Sequence, residues 1–391
     1  MTDPAATKKP FRIVFWGTYD LGKPRVRILL QGLRENGVDI LECHEQVWAG
    51  IEDKTQIVSL RIKLRLLLRW LSHYPGLIWR YLRLPPHDAV IVGYFGHLDV
   101  LLIWPFAKLR RAPLAWDAFL SLYDTAVNDR KLVGRRHPLA AFLYAWEWLA
   151  CRAADIVLLD TNAHRHYFID TFKVRPEKVK HVFVGAETEY FHPPANGRVP
   201  RDLARPFTVL FYGQFIPLHG IDTVVRAAKL TEGQPIRWVL IGKGQESSRI
   251  RRLIDDLQSR NIEWYEWVPY NELVHWIHQA DVCLGVFGTS EKASRVIPNK
   301  AFQVLAAGGT LITMDSPAAR ELLIDYPGVT LLPQASHEDL ARKISEFAAL
   351  GIPSRQASRI PCNSDRITPR NVTSPLLNAL RSIVLSRSSN A

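Results

Sequence analysis

Cysteine is scarce and scattered: Cys43, Cys151, Cys283 and Cys362 are the four in a chain of 391 residues. Their spacing matches neither a structural metal site nor a disulfide framework, and it fits a reducing cytosol. No apolar run reaches about 18 residues, so no membrane-spanning helix is expected. Residues 1–10 are polar, and Lys8-Lys9 lead directly into a strand pattern, so no signal-peptide core is expected. A full G-x-G-x-x-G is missing from the first strand-to-helix turn, which argues against a dinucleotide site. No Asp-x-Asp stands in a strand-end loop, and Asp255-Asp256 falls inside a helical pattern. Neither a metal site nor a cofactor is therefore expected. Negative charge is in deficit: 38 Asp and Glu against 50 Lys and Arg leave a net charge of +12. That balance favours an anionic partner, namely nucleotide, nucleic acid or acidic membrane. No recognition module accompanies the basic residues, so nucleic acid is not the expected partner.

What is present reads as globular, with 47% hydrophobic and 23% charged residues. The length suits two domains, because single cores rarely grow past about 250–300 residues. Strand and helix patterns alternate throughout, which predicts an α/β fold with parallel sheets. In the first half, strands are expected at 11–16, 38–42, 88–94, 113–116 and 155–160, with helices at 25–36, 138–154 and 162–172. A Pro-rich stretch around 193–206 suits an interdomain linker. The rhythm restarts with strands at 207–212, 237–242 and 262–268 and a helix at 271–279. Helices at 318–325 and 336–350 flank a strand at 329–332, and residues 375–385 are expected to form a last helix. The domains are thus 1–198 and 199–375, with 376–391 as a C-terminal segment.

Residues 281–315 carry the most information. An apolar run at 282–287 is short enough for a buried parallel strand. A polar loop, 288–297, follows, and Pro298 sits where a helix favours its first residue. The helix is closed by Gly308-Gly309, a left-handed stop signal, and 310–314 is the next strand. In such a unit the strand-to-helix loop lies at the carboxyl end of the sheet, where open α/β sheets bind ligands. The helix start, with Lys300 and Arg295 beside it, suits a diphosphate.

The same stretch, Pro298-Asn299-Lys300-Ala301-Phe302-Gln303-Val304-Leu305-Ala306-Ala307-Gly308, resembles the P-S-K-x-x-E-x-x-A-x-G segment of glycosyltransferase family 4. That group comprises retaining enzymes of the GT-B fold, in which two Rossmann-like domains face a central cleft. The family's ribose-holding carboxylate falls on Gln303, whose amide can also bond ribose hydroxyls. Its earlier partner glutamate falls on Arg295. At the place of the family's G-R-x-x-x-x-K-G, this chain has Gly213-Gln214-Phe215-Ile216-Pro217-Leu218-His219-Gly220. Both glycines remain, while Gln214 and His219 replace the two cations that clamp the donor diphosphate. His219 can serve if the phosphates raise its pKa. Gly242-Lys243-Gly244-Gln245-Glu246 is similar to the family's G-x-G-x-E turn near the nucleotide.

In the first half the resemblance places Gly17 and Lys23 in a loop facing the cleft, and His97 just past a strand, where the family touches the donor sugar. Asp117 and Asp124 follow the next strand; their carboxylates either hold acceptor hydroxyls or cap helices. The resemblance implies a hexosyltransferase that moves a sugar from a nucleoside diphosphate to a glycan or lipid-linked acceptor. Its expected setting is cell-surface polysaccharide or glycolipid synthesis. A silent GT-B protein docked on a membrane assembly, or a sugar-nucleotide epimerase of the same fold, remains the alternative.

Residues 60–83 are basic and apolar together. Arg61, Arg65 and Arg69 recur at four-residue spacing and line one helical stripe beside Trp70 and Trp79. Such a helix either lies on an anionic membrane surface or covers the sheet of its own domain.

Overall fold

Most of the strand patterns are too short and apolar to face water on either side, and they become interior strands of two parallel sheets. The structure, a computed structural model, describes residues 10–47, 60–195, 204–333, 336–350 and 363–389. The first sheet is built from β1 (Arg12–Gly17), β2 (Asp39–His44), β3 (Ala89–Val92), β4 (Leu114–Asp117), β5 (Ile156–Leu159) and β6 (Val179–His181). Its order is β2-β1-β3-β4-β5-β6, and all its pairings are parallel. The second sheet holds β7 (Phe207–Tyr212), β8 (Ile236–Ile241), β9 (Ile262–Tyr265), β10 (Val282–Leu284), β11 (Leu311–Met314) and β12 (Val329–Leu332). Its order is β12-β11-β10-β7-β8-β9, again all parallel. The order reverses between β1 and β3 in one sheet and between β7 and β10 in the other. At such switch points the crossover connections diverge and leave a crevice outside the carboxyl ends of the strands.

The helices in chain order are α1 (Pro24–Glu35), α2 (Leu60–Ser72), α3 (Tyr74–Arg83), α4 (His97–Leu109), α5 (Pro138–Ala153), α6 (Asn162–Phe172) and α7 (Ile221–Leu230). They continue as α8 (Ser247–Leu257), α9 (Leu273–Gln279), α10 (Glu291–Arg295), α11 (Asn299–Ala306), α12 (Pro317–Leu322), α13 (His337–Leu350) and α14 (Pro369–Ser389). Apolar layers cover both faces of each sheet. One layer crosses the domain boundary. Ile28 of α1, Val184 and Phe191 join Phe302 and Leu305 of α11 there. The last helix returns to the first half, where Leu376, Leu377 and Leu380 complete the core beside α1.

Some boundaries differ from the sequence pattern. The loop expected at 288–297 holds the short helix α10, whose N-cap Ser290 accepts from the Ala293 N–H. Pro298 is the N-cap of α11 and not its first residue, with φ −69° and ψ 150°. The basic segment breaks at His73, so Pro75 and Gly76 begin α3 instead of interrupting a longer helix. Proline fits there because the first turn needs no N–H from it. The final helix starts at Pro369 and carries Pro375 inside it. The domain boundary at 198/199, Cys362 and the side chain of Arg61 lie outside the described residues.

Candidate functional site

The second switch point is built on close backbone contact. Gly213 follows β7 with φ +138°, and Gly242 follows β8 with φ +140°. Both values lie where L side chains are strained. A Cβ on Gly242 would also sit 1.9 Å from the Gly213 carbonyl oxygen. Glycine at both places lets the two strand ends run past each other and leaves the floor of the crevice bare.

Two basic side chains converge on that floor. A Cβ on Gly213 would lie 3.2 Å from His219 Cε1 and 3.4 Å from Lys300 Nζ. Lys300 comes from the first turn of α11, is 5% exposed, and donates to the Gly285 carbonyl at 3.2 Å. Its ammonium stands 3.6 Å above the centre of the Phe211 ring. Among the described residues no carboxylate pairs with it. Burial pushes the Lys300 pKa well below the ordinary lysine value. His219 hydrogen bonds through Nδ1 with the Gln214 carbonyl. Burial, and secondly the Lys300 charge, holds its pKa well below the usual histidine value. His219 was expected to serve as a clamp if phosphates raise its pKa, and in the ligand-free protein its surroundings favour the neutral form. Desolvation outweighs the single backbone acceptor.

The remaining donor-side residues divide. Gly220 adopts φ +60° at the N-cap of α7 and abuts the backbone of Phe287 and Gly288. Asn299 is half-buried in the first turn of α11, while the side chains of Gln214 and Lys243 are exposed. Gly244 packs against the Phe215 backbone. Beside this loop opens a cleft of about 270 Å³, lined among others by Gly220, Thr223, Arg226, Arg249 and Gly288.

Two expected donor ligands are engaged elsewhere. Gln303 accepts from the Tyr212 hydroxyl at 3.0 Å and donates to the Tyr270 hydroxyl at 3.0 Å. Tyr270 donates onward to Glu187, which also receives a two-point contact from Arg27 at 2.6 and 2.8 Å. The Gln303 amide is thus held between two tyrosines of the second half, and Tyr270 carries the chain of bonds on to Glu187 of the first. Arg295 reaches across the boundary to both oxygens of Asp124, at 2.9 and 2.8 Å, and lies over the Tyr167 ring at 4.1 Å. The nearby Ser290 and Lys292 bond Asp129 and Thr125. Expected as a diphosphate ligand and an acceptor ligand, Arg295 and Asp124 instead neutralise each other.

The first switch point is lined by acids. Gly17 ends β1 with φ +123°, and a Cβ there would meet Asp99 Oδ2 at 2.4 Å. Asp99 takes the Thr18 N–H at 2.8 Å, the Thr18 hydroxyl and the Tyr74 hydroxyl. Gly17 thus makes room for a buried carboxylate. Burial raises the Asp99 pKa against those hydrogen bonds. Asp117 at the end of β4 is fully buried and bonded to Arg25 at 3.0 Å. Arg25 also donates to the Val182 and Phe183 carbonyls. That pair faces the core of the first domain, so Asp117 is not an acceptor ligand here. His97 opens α4 at 2% exposure, with its Nε2 3.5 Å from Glu147 Oε1. Lys23 is the N-cap of α1.

Sequence reasoning missed Arg25, Tyr74, Asp99, Glu147 and Tyr270. Glu147 had one detectable signal: it is the single acid in the mostly apolar run of α5, PLAAFLYAWEWLACRA. Asp99 stands two residues past His97 at the same strand end.

Two parallel six-stranded sheets, joined at a boundary where their strand-end crevices meet, define a GT-B architecture. Residues 199–359 match the family model described as Glycosyl transferases group 1. Among curated relatives, D-inositol 3-phosphate glycosyltransferase of Acidothermus cellulolyticus is 32% identical over 165 residues, 39% of this chain and 33% of that protein. The putative colanic acid biosynthesis glycosyl transferase WcaI of Escherichia coli is 24% identical over 125 residues, 32% of this chain and 30% of that protein. The chain spans about a third of the length of these relatives. Its fold is that of Anabaena HepE, solved in complex with UDP, at TM-score 0.60 and 12% identity over 96% of this chain and 100% of that one. Sucrose-phosphate synthase of Thermosynechococcus elongatus gives TM-score 0.63 and 17% identity over 98% of each chain.

Proposed function

We propose that the protein is a retaining glycosyltransferase that moves a hexose from a nucleoside diphosphate, of which UDP is the first candidate, to a glycan or lipid-linked acceptor. One observation carries this reading. A buried lysine with no carboxylate partner among the described residues stands beside a buried histidine on a bare glycine floor, at the switch point of a Rossmann-ordered sheet. An unpaired buried cation is costly, and an anion entering between Lys300 and His219 removes that cost. UDP complexes of HepE support the choice of nucleotide. As the glycosidic bond breaks, Lys300, His219 and the free N–H groups at the start of α11 stabilise the charge on the leaving diphosphate. The leaving phosphate assists the incoming hydroxyl on the same face, so no pair of carboxylates is needed.

A second reading, a silent GT-B subunit, is favoured by the engagement of Gln303 with Tyr212 and Tyr270 and of Arg295 with Asp124 across the boundary. A screen of nucleoside diphosphate sugars against the purified protein separates the two, with free nucleotide released as the readout and calorimetry for binding. Release from one donor class supports the transferase. Binding without release in the presence of every acceptor supports the silent subunit, and the absence of any binding overturns both.

The proposed setting is cell-surface polysaccharide or glycolipid synthesis at an anionic membrane surface. No helix among the described residues is long and apolar enough to cross a membrane. The first domain nonetheless exposes Leu68, Leu71 and Trp79 of α2 and α3 beside Arg65, Arg69 and Arg83. Trp104 and Leu109 of α4 and Phe142 and Leu149 of α5 are exposed as well. Apolar and basic groups interleaved in this way match an anionic lipid surface. Trp70 does not contribute to that face: its indole N–H turns inward to the Thr18 hydroxyl at 2.8 Å.

A further inference from the structure

His97 reaches the first switch point through a strained turn. Phe95 holds φ +72°, which a bulky side chain adopts rarely. Strain of that kind persists only where surrounding contacts fix it. The imidazole is then walled edge-on by Trp116, 4.9 Å away at 77°, and Trp146, 6.1 Å away at 64°. Neither His97 nitrogen has a hydrogen-bond partner among the described residues, although the ring is buried.

Glu147 has the complementary deficit. Its Oε2 accepts from the Ser121 hydroxyl at 2.8 Å and the Tyr123 N–H at 3.2 Å, which fixes the carboxylate plane. Its Oε1 has no partner and stands 3.5 Å from His97 Nε2. A separation of 3.5 Å is loose for an N–H···O bond, as in free active sites that tighten around a ligand.

We propose that Glu147 is a positioning residue that sets the tautomer of His97, and that Nδ1 is the atom His97 offers to a hydroxyl of the transferred sugar. A neutral imidazole carries one N–H and one lone pair. With the proton on Nε2, His97 donates to Glu147 and presents the Nδ1 lone pair, which accepts from a sugar O–H. With the proton on Nδ1, two lone pairs face each other across the Nε2–Oε1 gap in a dry site, and that form is disfavoured. A carboxylate that orients a histidine in this way acts through the second nitrogen. The sugar-binding role of His97 rests on the transferase reading; the tautomer does not.

The test is ¹⁵N NMR of histidine-labelled protein, with the His97 signals assigned by their loss in His97→Gln. Wild-type protein is expected to show the Nε2–H tautomer at His97. The Nδ1–H form in wild type would overturn the proposal before any Glu147 variant is made. Glu147→Gln keeps acceptors for Ser121 and Tyr123 but can turn an amide N–H toward Nε2, so its His97 should shift to the Nδ1–H form. An unchanged tautomer in a folded Glu147→Gln variant also overturns the idea. In the transferase assay kcat should fall roughly 10–100-fold with donor KM within about twofold, and Glu147→Asp should recover part of the loss. A tautomer switch in a protein that turns over no donor upholds the His97–Glu147 pairing and sinks the transferase reading instead.

Discussion

The two switch points share one strand-end geometry and treat charge in opposite ways. Around β1 and β3 the buried groups are acids and their partners. Asp117 is bonded to Arg25, Asp99 to Tyr74 and Thr18, and Glu147 to Ser121. Around β7 and β10 the buried groups are bases, and among the described residues Lys300 has a backbone carbonyl and an aromatic face but no carboxylate. A paired buried charge is part of the fold, and removing one partner strands the other. An unpaired one is a standing cost that a ligand relieves. The first crevice should therefore lose stability when its charges are altered, and the second should lose affinity.

The largest expected effect is on the paired side. Arg25→Ala leaves Asp117 buried without its cation and should lower unfolding stability by about 3–5 kcal/mol, read by chemical denaturation. A loss under about 1 kcal/mol would mean that Asp117 does not depend on the pair, and the contrast between the crevices would fail.

On the unpaired side, Lys300→Met should leave stability unchanged or raised. It should weaken nucleotide binding by roughly 1.5–3 kcal/mol, the range of a charged hydrogen bond. A pH signature accompanies it. Burial lowers the pKa of both Lys300 and His219 in the free protein. A bound diphosphate raises both, so binding takes up protons and affinity falls as pH rises. Calorimetry in buffers of different ionisation enthalpy, between about pH 6 and 8.5 around the ordinary histidine pKa, measures that uptake. His219→Lys should flatten the histidine part of the profile. No proton uptake in wild type would show that neither group meets the phosphates.

The smallest effect concerns the outer face of the first domain. Near an anionic surface each basic residue contributes about 1 kcal/mol, within a Debye length. Arg61, Arg65 and Arg69 changed together to Gln should reduce sedimentation with anionic vesicles at low salt and leave nucleotide affinity intact. Wild-type protein that stays out of the anionic pellet at low salt would confine α2 and α3 to covering their own sheet.

Local pattern was enough to reveal most of the strands and the repeated α/β rhythm, because a two-sided buried strand must be apolar along its whole length, but it did not reveal helices α4, α7 and α10. The runs 207–212 and 329–332 and the helix at 162–172 match the observed elements residue for residue. Pro298, Lys300 and Gly308 marked α11 for the same reason: capping and dipole chemistry act within a few residues. The partners of the charges were not legible. Arg25 meets Asp117 92 residues away, and Arg295 meets Asp124 171 residues away. Such distances along the chain carry no periodic signal. Whether His219 is charged, whether Gln303 is free and whether Glu147 faces His97 depend on burial and on which elements the two sheets bring together. Those are properties of the tertiary structure alone, since desolvation acts on a group through everything packed around it.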